Sequence, residues 1–222
     1  MGVTAGGARC IALLGGTFNP IHDGHVALGA LFRELLQADE LRVIPAGQPW
    51  QKSGLRTSAD DRIAMVRLAF AAQHIAVTID TREIERLGPT YTVDTLRELR
   101  AEAGPDVPLA FLLGADQLGQ LDSWRDWQSL FGLAHLCVAA RPGFSLGEYD
   151  VPERVAQEFA RRSATPAQIR ATPHGHTYLA QDLAVDVSAT QVRQAIAQGV
   201  RPIPHVSPVV LDYIEQHHLY KT

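Results

Sequence analysis

An apolar run, residues 11–14, passes directly into Gly15-Gly16-Thr17-Phe18-Asn19-Pro20-Ile21-His22-Asp23-Gly24-His25, and a helical pattern over 26–37 leaves it. A strand, a glycine turn and a helix in that order constrain this chain more than any other stretch. Gly15 and Gly16 carry no Cβ, so backbone N–H groups can come close to a charged ligand. Asn19-Pro20 favours a turn over continued strand. If the helix begins near Asp23, His22 and His25 share one face at its N-terminus. That end of a helix attracts anions. The stretch has neither the G-x-x-x-x-G-K-[ST] nor the G-x-G-x-x-G spacing. Physical chemistry alone therefore points to an anion site, with a plain turn and structural or solvated histidines as the bland alternative.

Strand-like and helix-like segments alternate along the rest of the chain, the pattern of a parallel sheet covered by helices. Strands are expected at 41–44, 75–79, 109–113 and 134–139, with one or two short ones in 178–187. Residues 109–113 are continuously apolar, as in a central strand buried on both faces. Helices are expected from Ser58 or Asp60 onward, over 90–103, around 154–161, over 188–198 and over 208–217, with residues 45–57 as a loop. Residues 142–173 are the least legible. A length of 222 residues, 46% of them hydrophobic, suffices for one domain over 1–222. Its sheet-and-helix core is expected over 9–187 and its C-terminal helices over 188–222. The net charge of −4 gives no global basic excess for nucleic acid, so any positive site must be local. Cys10 and Cys137 sit in apolar runs and read as buried free thiols, although sequence leaves a disulfide open. With no secretion signal and no apolar run near the ~20 residues of a membrane span, a soluble cytoplasmic protein is the expectation.

Further constellations carry polar chemistry. Lys52 lies on a loop after a strand's carboxyl end, where open α/β sheets bind ligands; alone it reads as a solvated lysine. Gly88-Pro89-Thr90-Tyr91-Thr92 precedes a helix, and Thr90 or Thr92 can cap it. Gly114-Ala115-Asp116 leaves the central strand; alone it is a turn, but an acid there can accept a hydrogen bond from a ribose hydroxyl. Trp124 and Trp127 are three apart, the spacing of one helix face. Arg141-Pro142-Gly143 ends a strand, and the arginine could equally form a surface ion pair. Ser188 and Gln191 form an S-x-x-Q capping box. Capping does not account for Arg193. An arginine there is electrostatically ill placed near an anion-attracting helix end unless an anion offsets it, as bidentate phosphate binding would.

The stretch from Gly15 to His25 resembles the signature of the H-x-G-H nucleotidyltransferases, and its Gly-Gly-Thr-Phe opening resembles their nicotinate-mononucleotide adenylyltransferase branch. Ser188, Thr190 and Arg193 match that family's second signature, serine-x-threonine-x-x-arginine. The resemblance runs from about Cys10 to Tyr220. It implies a Rossmann-like α/β fold, an open parallel sheet with helices on both faces and a small C-terminal helical part. It also implies transfer of AMP from ATP to nicotinate mononucleotide (NaMN), giving nicotinate adenine dinucleotide and pyrophosphate in NAD biosynthesis. The same resemblance makes His22, His25 and Arg193 catalytic. It assigns Gly15, Gly16, Thr17, Phe18, Gly24, Gly114, Asp116, Ser188 and Thr190 to ATP, with the same histidines and arginine. It assigns Gly16, Asn19, Lys52, Thr90, Tyr91, Thr92, Trp124 and Arg141 to NaMN, with Trp124 stacking on the pyridine ring and Trp127 left to packing. The family's proline-proline-histidine-lysine run is Pro49-Trp50-Gln51-Lys52 here, so the lysine matches and the histidine does not. Mg²⁺ is expected with ATP, held by phosphates and water rather than a protein cage. Within the superfamily, phosphopantetheine or a sugar or glycerol phosphate is the rival acceptor. A non-catalytic nucleotide-binding regulator is the rival of another class. Oligomeric state is not legible.

Overall fold

The computed structural model describes residues 9–49, 57–140, 144, 146, 151–181, 183, 185 and 187–221. Six strands form one parallel sheet in the order β4-β2-β1-β6-β7-β8. They are β1 (Ile11–Gly16), β2 (Glu40–Pro45), β4 (Thr78–Ile79), β6 (Leu109–Gly114), β7 (His135–Ala139) and β8 (Thr177–Ala180). β1 pairs in register with β2, Ile11 opposite Glu40, and with β6, Ile11 opposite Leu109. Strand β1 is central because both of its faces are apolar. Ala12 and Leu14 join one core cluster while Ile11 and Leu13 join the other, the alternation a strand imposes. The first cluster lies under α1 (Asp23–Leu35), α2 (Ala59–Ala72), α7 (Ala189–Ala197) and α8 (Pro208–Gln216). The second lies under α4 (Thr92–Ala103), α5 (Glu153–Arg161) and two 3₁₀ segments, Ala115–Ser123 and Trp127–Gly132. The open parallel sheet with helices on both faces is thus present. The strand order reverses between β1 and β6, and in doubly wound sheets ligands bind at the carboxyl ends beside such a reversal.

Several sequence expectations are corrected. The strand expected over 75–79 is only β4, because Ile75 N–H instead closes the end of α2 on the Phe70 carbonyl and His74 turns left-handed at φ 55°. Residues 45–57 are not all loop. β2 runs through Pro45, and β3 (Gln48–Pro49) pairs with β5 (Pro89–Thr90) as a small second parallel sheet. That pairing holds Thr90 in a strand, so α4 starts at Thr92 after its N-cap Tyr91. Between residues 178 and 187 only β8 forms among the described residues, and it begins one residue earlier, at Thr177. Trp124 and Trp127 share no helix face. Trp124 caps one 3₁₀ segment, Trp127 opens the next, and Asp126 between them is left-handed at φ 51°. Two short helices go beyond the sequence reading, α3 (Arg82–Glu85) and α6 (Pro166–Ala171). Cys10 and Cys137 are both buried and free.

Candidate active site

The turn leaving β1 is built around buried rings. Phe18, left-handed at φ 49° and 1% exposed, packs edge-on against His25 at 5.1 Å. A Cβ on Gly16 would lie 2.9 Å from the Phe18 ring, so glycine is required for the chain to fold back over it. His22 is the N-cap of α1, and its backbone N–H donates to His25 Nδ1 at 3.3 Å. An accepting Nδ1 leaves the proton of a neutral His25 ring on Nε2. The two imidazoles stack with centroids 3.7 Å apart. Between them, a Cβ on Gly24 would come within 3.2 Å of His22 Nδ1 and 3.3 Å of Val187 Cγ1. This glycine lets the His22 ring lie over the first helical turn while the approach to α7 packs behind it. Burial pushes the His22 pKa down to about 4, and nearby His205 pushes it the same way. The His205 carbonyl accepts from Asp23 N–H at 2.9 Å. Burial also raises the Asp23 carboxyl, with His205 opposing.

Arg193 joins the second signature to the first. Its Nη1 donates to the Asn19 carbonyl at 2.8 Å and its Nη2 to Thr190 Oγ1 at 3.1 Å. Among the described residues these dipoles, rather than a carboxylate, meet the guanidinium. Ser188 is committed to the capping box: its Oγ accepts from Gln191 N–H at 3.3 Å, and its own N–H donates to Gln191 Oε1 at 2.8 Å. Asn19 Oδ1 accepts from the Tyr220 hydroxyl at 2.7 Å, so both Asn19 oxygens are engaged within the protein.

A cleft opens beside this turn. Gly15 and Gly16 line it from the end of β1 with Thr17 just beyond, Gly114 from the end of β6, Thr90 from β5, Thr92 from the start of α4, and Trp124 from the cap of the first 3₁₀ segment. Trp124 Nε1 is buried with no hydrogen-bond partner among the described residues, and such a donor suits a polar ligand atom. Tyr91 supplies no side-chain cap to α4, which leaves this helix N-terminus suited to an anion; the Tyr91 ring lies under the Arg125 guanidinium at 4.8 Å. Trp127 is packing, 6.0 Å from Phe131 and edge-on to it. Asp116 is exposed at the rim and accepts from Gln117 Nε2 at 2.6 Å; Gln117 lines the cleft and Asp116 does not. Lys52, Arg141 and the Trp50-Gln51 pair lie outside the described residues.

Sequence reasoning missed four groups here. Arg62 is 2% exposed and donates to the Thr17 carbonyl at 2.8 Å. Its signal was present: the buried stripe Met65, Val66, Ala69, Phe70, extended back by one turn, lands on residue 62. Glu83 lines the cleft and accepts from Thr95 Oγ1 at 2.7 Å, and burial raises its carboxyl above the usual range. Tyr220 and His205 reach the site only through tertiary packing, which no local pattern announces.

Comparison with known proteins agrees with this geometry. The cytidylyltransferase-like family profile matches residues 13–195. A probable nicotinate-nucleotide adenylyltransferase of Herminiimonas arsenicoxydans is 58% identical over 214 residues, covering 96% of this chain and 98% of the relative. One from Laribacter hongkongensis is 44% identical, covering 96% and 94%. Among solved structures, Plasmodium falciparum nicotinic acid mononucleotide adenylyltransferase complexed with NaAD superposes with a TM-score of 0.73 at 19% identity. That match covers 96% of this chain and 97% of the other, and at such identity it speaks to the fold. A strand-turn-helix signature, a distant arginine brought onto it and near-full-length relatives converge on one statement: the chain belongs to the nicotinate-nucleotide adenylyltransferase family of cytidylyltransferase-like proteins.

Proposed function

We propose that this protein transfers the adenylyl group of ATP to nicotinate mononucleotide, releasing pyrophosphate, as a step of NAD biosynthesis. The observation that carries the site assignment is the Arg193–Asn19 hydrogen bond at 2.8 Å across 174 residues of sequence. It brings a guanidinium onto the turn that also presents two imidazoles.

The attacking group is a phosphate oxygen of NaMN, already ionised near neutral pH (second pKa roughly 6). It forms a bond to the α-phosphorus as the bond to the pyrophosphate oxygen breaks, in line and without a covalent enzyme intermediate. Neither a general base nor a protein nucleophile is required. The obstacle is bringing two polyanions together, so catalysis is positioning and electrostatics. His25, with Nε2–H as donor, and His22 hold the α-phosphate as charge develops on it. Backbone N–H groups of Gly16, Thr17 and Phe18 and the start of α1 cradle the phosphates. Arg193, with the N-terminal turn of α7, takes the β- and γ-phosphates. The passage from β5 into α4, Thr90-Tyr91-Thr92, takes the nicotinate carboxylate through its backbone, and Trp124 stacks on the pyridine ring. Lys52 and Arg141 are further candidates for substrate phosphate and cleft-border contacts. Among the described residues no group of three or more His, Cys, Asp or Glu could hold a metal ion. The donor set therefore fits Mg²⁺ carried by phosphate oxygens and water, which neutralises their charge when bound.

A coupled pyrophosphate-release assay with ATP and a panel of acceptors tests this. NaMN is expected to give the highest kcat/KM, ahead of nicotinamide mononucleotide, phosphopantetheine and glycerol phosphate. A better acceptor among the others would reassign the substrate, and no release with any would favour a nucleotide-binding regulator.

A further inference from the structure

Arg62 is a formal positive charge in the protein interior. Its Nη1 holds the Thr17 carbonyl at 2.8 Å, and its Nε has no hydrogen-bond partner among the described residues. Among the described residues no carboxylate forms an ion pair with it. Burial depresses its proton affinity, and the one group that opposes this is Tyr220. Tyr220 offers little counter-charge, because burial pushes its own hydroxyl up to about 12. A second cation, Arg193, sits on the same turn at the Asn19 carbonyl. The turn at 17–19 is therefore gripped by Arg62 from α2, Arg193 from α7 and Tyr220 from beyond α8, two of the three being cations.

A buried guanidinium that lacks an opposite charge is costly. A neutral amide would serve the Thr17 carbonyl at lower cost, so the hydrogen bond alone does not explain the charge. An anion on the ligand side of the turn does. Within the interior such an attraction is poorly screened. We propose that Arg62 is the buried counter-charge of the bound triphosphate, a positioning residue that presents the Thr17 backbone and lends its charge to ATP without touching it. This rests on the reading of the turn as the ATP site.

Two substitutions separate charge from hydrogen bonding. Arg62→Gln keeps a donor for the Thr17 carbonyl and removes the charge; Arg62→Lys keeps the charge and alters the bond. Binding of MgATP alone is measured by calorimetry, both KM values by steady-state kinetics, and folding by circular dichroism. For Arg62→Gln, the Kd for MgATP and the KM for ATP are expected to rise about tenfold, with the KM for NaMN within about twofold; Arg62→Lys should stay within about threefold of the parent for ATP. Parental ATP binding by Arg62→Gln overturns the proposal. So does equal damage in both variants, which would mean that bond geometry matters rather than charge. Failure of both to fold makes the residue scaffold and also overturns it. His25→Ala, run in parallel, keeps the two readings distinguishable. If it stays fully active, the site assignment itself falls. If it is inactive while Arg62→Gln binds ATP normally, only the role of Arg62 falls.

Discussion

His22 and His25 stack at 3.7 Å, a spacing at which two protonated rings repel strongly. A helix N-terminus disfavours a charged imidazole and is one reason for a neutral His22. Burial is the larger one for His22, lowering its pKa to about 4. The ligand-free His22 imidazole is therefore expected to stay neutral at every working pH, and ATP, bringing negative charge, to raise its proton affinity. NMR titration with and without ATP measures this; a ring already titrating near 6.5 without ligand, or no ATP-dependent shift, contradicts it. For His25→Ala, kcat is expected to fall about 10²–10³-fold while the KM for ATP moves less than about threefold, because the contact strengthens as the α-phosphate charge develops. An unchanged turnover number would remove His25 from the reaction. Residue identity singled out the histidines and Arg193, and the fold brings that arginine onto the histidines' turn through the Asn19 carbonyl. Residue identity also hid Arg62, because a charged letter reads as exposed. The family resemblance assigns Asn19 to the acceptor, and in the fold both of its oxygens already have protein partners.

At the scale of elements, β1 and β6 are legible as continuous apolar runs, and β2 and β7 as apolar runs each interrupted by one polar residue, Arg42 and His135, so all four fall near where the sequence puts them. Their lateral order was not legible, because it depends on which crossover packs on which face. Nor was the β3–β5 sheet, whose two-residue strands are too short to carry a period. The tryptophan pair misled for a related reason: a spacing of three fits a helix, but one left-handed residue at Asp126 breaks it. Gly47 shows how such unlegible contacts build the site. A Cβ there would lie 1.9 Å from the Glu83 carbonyl oxygen, where α3 packs against the strand end. Glu83 lines the cleft, so Gly47→Ala should disturb both stability and the acceptor pocket. A loss of about 1–3 kcal/mol in urea unfolding is expected from the forced backbone shift, with the KM for NaMN raised more than that for ATP. Gly132→Ala is the control. Nothing lies within 4 Å of its added Cβ, and its stability should stay within about 0.5 kcal/mol of the parent. If the two variants are equally stable, the close packing of α3 on residue 47 is not a constraint.

Among the described residues, burial holds two histidines, His22 and His135, in the neutral form. His135 is fully buried; its Nε2 bonds the Thr172 carbonyl at 2.7 Å and its Nδ1 accepts from His176 N–H at 3.1 Å. Both ring nitrogens are thus used by a neutral ring that ties β7 to the chain entering β8. Burial, the largest cause, lowers its pKa to about 4, as it does for His22. For both, the folded pKa lies below the unfolded one, roughly 6.5. Between those values the unfolded chain binds more protons, so acid favours unfolding there. Stability is expected to be flat above pH 7 and to fall from pH 6.5 towards 4, by up to about 3 kcal/mol for each histidine. Glu83, with its raised carboxyl, opposes this in part by taking up a proton while folded. The carboxylates of Glu40, Asp80 and Glu102 are held low in their network with Arg42 and Arg82. Their contribution is lost only below the ordinary carboxylate range, so it cannot produce a decline that begins at 6.5. Urea midpoints at pH 7.5, 5.5 and 4.5 separate the two regimes, and His135→Asn should flatten the upper one by removing one titrating ring. Undiminished stability at pH 5 would mean that these rings accept protons within the fold, and the neutral hydrogen-bonding scheme at His135 would have to be abandoned.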